Sequence, residues 1–416
     1  MITVVGLGYV GLTAALGFAE KGLDVIGYDK NKHLLDLLRD GEIPIHEPGL
    51  KEALNRTYNK YLTITDDPEL AYQSDIIFYC VGTPSREDGS ADLSILTASV
   101  KETLLHADPE RYIILVIKST VPPGTCKNAI KPVIESSGRR SGIEFGLVNN
   151  PEFLREGFGW KDFMKPDRIV LGGDDEKSLN LVSEIYKDFG APINRVSTNT
   201  SEFIKYGSNS ILATMISFAN EMSLIADAIG DIEIEKTFHA LHQDHRWTGS
   251  PAQMASYFFP GAGFGGYCLP KDTAALISCS REAGYEPALL ESVLNTNLRI
   301  KLQAAEKIAR AAEKNDRIAI LGLAFKPDTG DVRETVARNI IESLLDKGYH
   351  NIVAYDPLAA ENFAQAFGLK IEYASSLEEA VEGSSLVVLL TAWKEFIEKR
   401  NYLKNFRVLD FRYVLK

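Results

Sequence analysis

The sequence predicts an α/β protein in which two doubly wound parallel sheets are joined by a helical middle, and three observations carry that expectation. Short β-branched apolar runs alternate with helical stretches at both ends of the chain. The plan ITVVG…VIGYD at the start recurs as IAILG…IVAYD from Ile318 to Asp356. Between them, from about Thr200 to Ala311, the pattern changes to long helices, beginning with SEFIKYGSNSILATMISFANEMSLIADAIG. The expected segments are 1–199, 200–311 and 312–416.

The first element is the apolar run ITVVG, which breaks into GLGYVG, an Ala-rich segment and then LDVIGYD: strand, glycine turn, helix, strand. Gly6, Gly8 and Gly11, with Tyr9 and Val10 between them, fit the GxGxxG dinucleotide fingerprint. Its glycines supply a tight turn, a bare backbone against a pyrophosphate and close packing of helix on sheet, and the helix N-terminus faces the anion. Asp29 closes the second strand 18 residues beyond Gly11, where a carboxylate accepts both ribose hydroxyls and repels a 2′-phosphate, so NAD is expected over NADP. The competing reading is a glycine turn needed only for packing. The alternation continues with SDIIFYCVGTP, YIILVIKSTVPPGT and FGLVNNPEF, whose terminal loops line the ligand crevice of such a sheet. After the helical middle, RIAILGLAFKPDTGDVRET opens the second sheet, followed by an amphipathic helix and the runs NIVAYDP, SLVVLLT and RVLDF. Both ends are thus expected to be Rossmann-like domains, but GLAFKPD lacks the GxGxxG spacing. It points to a different ligand, with Lys326 and Arg333 available for phosphates.

Composition excludes other classes. The 416 residues, 45% hydrophobic, are enough for two or three cores, and 45 Lys+Arg against 57 Asp+Glu leave a net charge of −12 with no basic cluster for nucleic acid. The longest apolar runs fall short of the roughly 20 residues of a membrane helix, and the N-terminal run reads as a strand rather than a signal peptide, so a cytoplasmic protein is expected. Four cysteines, Cys80, Cys126, Cys268 and Cys279, show no CxxC spacing and are expected as thiols.

Three pairs of functional side chains are spaced by four: Glu152 and Glu156, Lys205 and Asn209, Cys268 and Asp272. On a helix that spacing puts both members on one face. Surface glutamates are common, but an ammonium and an amide on a mostly apolar helix need a partner or a ligand. Cys268 stands in GAGFGGYCLPKD, where Gly265 and Gly266 allow close backbone approach and Pro270 is expected to open a helix through DTAALI. A sulfur near a helix N-terminus beside Lys271 is favoured as thiolate, which makes Cys268 a candidate nucleophile rather than a buried structural thiol.

The stretches GLGYVGL, GTP, KSTVPPGT, NPEFLREG, EFIKYGSN with ISFANE, GFGGYCLPKD, GLAFKPDTGDVRE and VLDFR occur in order across nearly the whole chain. With them the sequence resembles the UDP-glucose 6-dehydrogenases of the UDP-glucose/GDP-mannose dehydrogenase family. The resemblance implies an NAD domain, a central helical dimerisation region forming a homodimer, and a C-terminal domain holding the nucleotide of a sugar. It also implies four-electron oxidation of the hexose at carbon 6 with two NAD, giving UDP-glucuronate from UDP-glucose, with the intermediate held on Cys268 as thiohemiacetal and then thioester. By the same resemblance, Lys205 and Asn209 stabilise oxygen charge, Asp272 positions the hydrolytic water, and Thr120 and Glu152 complete the proton network. Thr83, Thr120, Glu156, Lys271 and Arg333 face NAD. Glu152, Phe153, Leu154, Arg246, the loop Tyr257, Phe258, Phe259, Pro260 and Gly261, then Gly265, Lys326 and Arg412 face the substrate, and no metal is implied.

Three features depart from the family pattern. DHRWTG stands where Arg-Ile-Gly is usual after the aspartate, the segment from Arg246 to Cys268 is longer, and Leu34 occupies a lysine position. GDP-mannose and UDP-N-acetylhexosamines therefore compete as substrates. A two-electron β-hydroxyacid dehydrogenase would share the fingerprint, lysine and asparagine without needing Cys268, and a non-catalytic NAD sensor would need only the turn and Asp29.

Overall fold

The computed structural model describes residues 1–229, 231–244, 259–282 and 286–415. The chain divides into two compact units, 1–207 and 208–416. The first is built on eight strands: β1 (Ile2–Val5), β2 (Val25–Tyr28), β3 (Leu62–Thr65), β4 (Ile76–Tyr79), β5 (Ile113–Ile117), β6 (Phe145–Asn149), β7 (Ile169–Gly173) and β8 (Ile193–Val196). Their order is β3-β2-β1-β4-β5-β6-β7-β8, the doubly wound order extended by two strands. All pairings are parallel except β6 with β7, where Val148 faces Gly173.

The apolar runs become central strands because both faces of the sheet are covered. In β5, Ile114 and Val116 pack into one core with Leu12, Phe18 and Phe163. Ile113, Leu115 and Ile117 point to the other face, among Leu96, Val100 and Ile130. The Ala-rich stretch predicted as a helix is the helix Tyr9–Glu20, buried along most of its length. Small residues let it sit close to its neighbours: a Cβ on Gly17 would stand 2.3 Å from the Phe163 ring.

The second unit carries the helices Ile234–His242, Cys268–Glu282 and Ala288–Ala311, then a five-stranded parallel sheet. Its strands are β9 (Ile318–Leu321), β10 (Ile352–Tyr355), β11 (Glu372–Tyr373), β12 (Leu386–Leu389) and β13 (Val408–Asp410), in the order β11-β10-β9-β12-β13. That order repeats the first five strands of the first sheet, as the repeated sequence plan predicts. The long helix Thr198–Ile229 spans the boundary in the chain. Among the described residues no helix is long and apolar enough to cross a membrane.

Candidate active site

The first glycine turn has the shape its residues predict. Gly6 adopts φ +88° and donates to Tyr28 O at 2.8 Å. A Cβ on Gly11 would lie 1.7 Å from Gly6 O, whereas one on Gly8 would meet nothing within 4 Å. The bare side of the turn is thus open where the helix begins. That helix has no side-chain cap and no acidic residue in its first turn, which leaves its amides available to an anion. Asp29 is fixed by the turn it serves, its Oδ2 accepting from Leu7 N at 2.7 Å and its Oδ1 from Asn31 N at 2.8 Å, and it remains partly exposed. These features fit the pyrophosphate and ribose of NAD. Nearby, Thr83 Oγ1 donates to Thr120 O at 2.7 Å and joins the loops after β4 and β5.

The NPEFLREG loop is tied to the same region through Tyr9. Its hydroxyl donates to Glu47 Oε2 at 2.8 Å and to Arg155 O at 3.1 Å. Glu47 in turn accepts from Gly157 N at 2.9 Å and Trp160 N at 3.2 Å. Burial and then Glu47 push the Tyr9 phenol well above its ordinary range, so it is a donor at every working pH.

The start of the helix Thr198–Ile229 is fastened to the end of β6 and to the segments that follow β5 and β6. Ser201 Oγ donates to Asn149 Oδ1 at 2.5 Å. The buried Glu202 accepts from Gly124 N at 2.6 Å and Cys126 N at 2.8 Å. Lys205 meets Glu152 at 2.7 Å, with both side chains buried. The other carboxylate oxygen of Glu152 accepts from Leu154 N at 2.5 Å. Burial alone would raise Glu152, but the Lys205 ammonium, the Leu154 amide and Lys118 together bring it below its usual range. Glu152 and Lys205 therefore form a buried, charged pair.

In the second unit, Cys268 is the first residue of its helix and is exposed. None of the four cysteines forms a disulfide. The helix starts two residues earlier than Pro270 suggests; Pro270 sits inside the first turn, where its missing N–H leaves no bond unmade. The glycine loop before Cys268 is pressed against the GLAFKPDTGDVRE segment. Gly266 N donates to Arg333 O at 3.0 Å, a Cβ on Gly265 would lie 2.2 Å from Glu334 O, and one on Gly266 would lie 2.7 Å from the Phe325 ring. Two buried asparagines hold the other side. Asn220 Oδ1 accepts from Gly261 N at 2.6 Å, and Asn297 clamps both backbone groups of Phe264 at 2.8 and 3.0 Å. One turn into the Cys268 helix, the fully buried Asp272 accepts from Asn209 Nδ2 and from Lys271 Nζ, the latter at 2.5 Å. The Tyr267 ring lies 4.4 Å from the Arg333 guanidinium and 5.1 Å from Lys271 Nζ.

Of the predicted pairs, Cys268 with Asp272 and Lys205 with Asn209 lie on helices at the expected spacing. Glu152 and Glu156 do not, because NPEFLREG is a loop. Pro151 disfavours helix at Asn150, and Glu152 bonds the backbone two residues on. Phe153 stacks on Arg168 at 4.1 Å, and Leu154 packs at the edge of the first core. Val10 is partly buried in the first helix, and Lys326 lies 5.6 Å from the Phe325 ring. Pro260 is buried, and Arg412 Nη1 would stand 3.1 Å from a Cβ on Gly261. Phe259 packs against His242 and Tyr413, both at 5.4 Å. Arg246, Tyr257 and Phe258 lie outside the described residues. The predictions omitted Glu47, Glu202, Asn220 and Asn297. The signal that marked Asn209, a polar side chain on an apolar helix face, also marks Asn220 within ISFANE.

Three family domains match in the order the fold requires: the UDP-glucose/GDP-mannose dehydrogenase NAD-binding domain over residues 1–190, the central domain over 199–299 and the UDP-binding domain over 319–416. UDP-glucose 6-dehydrogenase AglM of Haloferax volcanii is 38% identical, covering 95% of this chain and 92% of the relative. GDP-mannose 6-dehydrogenase of Pseudomonas aeruginosa is 34% identical, covering 96% and 93%. The solved UDP-glucose dehydrogenase of Pyrobaculum islandicum superposes with a TM-score of 0.88 at 37% identity, over 99% of this chain and 94% of that one. With the open glycine turn and Asp29 at one end of the chain and a second doubly wound sheet at the other, these matches make the chain a member of the UDP-glucose/GDP-mannose dehydrogenase family, the NAD-dependent dehydrogenases of nucleotide sugars.

Proposed function

We propose that the protein oxidises UDP-glucose at carbon 6 to UDP-glucuronate, consuming two NAD and one water and releasing two NADH and three protons. The observation that carries this reading is Cys268, exposed on the first turn of a helix whose next turn presents the buried Asp272. A single two-electron oxidation has no use for that thiol. NAD, held by the turn Gly6 to Gly11 and Asp29, supplies the hydride acceptor. In this reading Cys268 adds to the aldehyde carbon to give a thiohemiacetal, loss of hydride gives the thioester, and water cleaves the carbon–sulfur bond to return the thiol. Lys205 and Asn209 stabilise the oxyanion, Asp272 orients the water, and Glu152 with Thr120 moves protons. Thr83, Glu156, Lys271 and Arg333 serve NAD, while Phe153, Leu154, the loop through Gly261, Gly265, Lys326 and Arg412 serve the nucleotide sugar. Arg246 belongs to the same set through the family pattern alone.

Glucose is favoured by the relatives named for UDP-glucose at up to 38% identity. A panel of UDP-glucose, GDP-mannose and UDP-N-acetylhexosamines, scored by NADH and product mass, tests it. Highest kcat/KM on UDP-glucose is expected, and preference for another sugar contradicts it. The segments 1–199, 200–311 and 312–416 then act as NAD domain, dimerisation region and nucleotide-sugar domain, in a cytoplasmic homodimer. The exposed Ile211 and Phe218, seven residues apart on the helix Thr198–Ile229, support the dimer. Sedimentation showing a monomer at assay concentration removes it.

A further inference from the structure

We propose that Lys118 is a positioning residue for this reaction: a second buried ammonium behind Glu152, holding that carboxylate ionised and in register with Lys205. The proposal rests on the acid/base role given to Glu152 above.

Lys118 follows β5 directly and is 4% exposed. Among the described residues its Nζ has one hydrogen-bond partner, Asn150 Oδ1 at 3.1 Å, and no carboxylate within ion-pair distance. The rings of Phe163 and Tyr186 flank it at 5.7 and 6.0 Å. Asn150 is itself immobilised: it accepts from the Tyr186 hydroxyl at 2.5 Å, its Nδ2 donates to Val170 O at 3.0 Å, and its N–H donates to Ile117 O at 2.8 Å. It stands two residues before Glu152. A buried ammonium that bonds one neutral amide is costly, so an unpaired charge at this place needs a compensating anion nearby. The titratable groups that face it are Cys80 after β4, Glu152 after β6, Lys205 on the helix Thr198–Ile229, and Tyr186. Burial pulls Lys118 down to about 8, while Cys80 and Glu152 work against that fall. Cys80 is pushed up to about 12 by burial and stays a neutral thiol, which leaves Glu152 as the anion. Lys118 acts back on it more weakly than Lys205 does, so two lysines on different elements favour the ionised carboxylate.

The pH dependence of kcat separates this role from packing. Lys118→Gln keeps a donor for Asn150 and removes the charge. The acid limb of the profile, set by Glu152, is expected to move up by about one pH unit with KM for NAD unchanged. Asn150→Asp keeps Lys118 but pairs it with a new carboxylate, and the limb is expected to move the same way. A folded Lys118→Gln enzyme whose profile superimposes on the unsubstituted one overturns the proposal; if that variant does not fold, an unmoved limb in Asn150→Asp overturns it. Glu152→Gln distinguishes the two claims. Persistence of the acid limb in Glu152→Gln removes the role of Glu152 itself, whereas a limb lost there but unmoved in the other two variants removes Lys118 alone.

Discussion

The two doubly wound sheets share their strand order, yet their glycine turns are finished in opposite ways. In the first, three residues separate β1 from an uncapped helix, and Asp29 at the end of β2 is partly exposed with two backbone donors. In the second, fourteen residues separate β9 from the helix Val336–Asp346, whose Ala337 amide is capped by Thr335. Asp356, in the place of Asp29, is buried under five donors: Leu323 N, Ala324 N, Leu358 N, Ala359 N and Trp393 Nε1. Both turns keep the same framework bond, Gly6 to Tyr28 O and Gly322 to Tyr355 O, each at 2.8 Å. The framework is therefore common, and the two turns differ in whether the aspartate and helix end are left open. In the second sheet the long connection seats the loop that leads to Cys268.

The largest effect expected from this contrast is on stability. Asp356→Ala strips one acceptor group from five donors, four of them buried, and should cost about 3–5 kcal/mol in urea unfolding. NAD affinity in the folded fraction should stay unchanged. A loss of NAD affinity comparable to that of an Asp29 variant would mean that the two turns are not specialised as described.

Asp29→Ala should behave in the opposite way, weakening NAD about tenfold, roughly 1.4 kcal/mol, and narrowing the preference over NADP. Titration with both dinucleotides measures it. An unchanged NAD/NADP ratio would break the assignment of the first turn.

Much of this contrast was legible in the sequence, because GxGxxG and its absence are local patterns, as are the alternating strands and the long helices. The extension by β7 and β8 was not anticipated, since RIVLGG and INRV are short runs whose antiparallel start is set by pairing, not by composition. Asp356 ends IVAYD as Asp29 ends VIGYD, and its saturation by Trp393 and distant amides is invisible to spacing. Glu202, Asn220 and Asn297 escaped for the same reason, each bonding a backbone group more than thirty residues away. NPEFLREG misled because a carboxylate bonding its own loop competes with the helix that its i, i+4 spacing suggested.

A smaller effect concerns acid stability of the first unit. Glu152 has a folded value below its ordinary 4.5, so the unfolded chain binds more protons there. The pair with Lys205 contributes fully above that value, and the contribution is lost as pH falls through the folded one. Glu152→Gln should therefore flatten the fall in unfolding free energy below about pH 4.5. Parallel curves for both proteins would remove the pair from the stability of the unit.

In the proposed reaction four electrons leave the sugar through the one open dinucleotide turn among the described residues, so that site accepts NAD twice while the carbon skeleton waits on Cys268. Running UDP-glucose to completion with excess NAD, in the presence of an aldehyde-trapping amine, tests this directly. The account predicts two NADH per UDP-glucose, no trapped aldehyde, and loss of uronate formation in Cys268→Ser. One NADH per sugar, or aldehyde captured in solution by the unsubstituted enzyme, would contradict it.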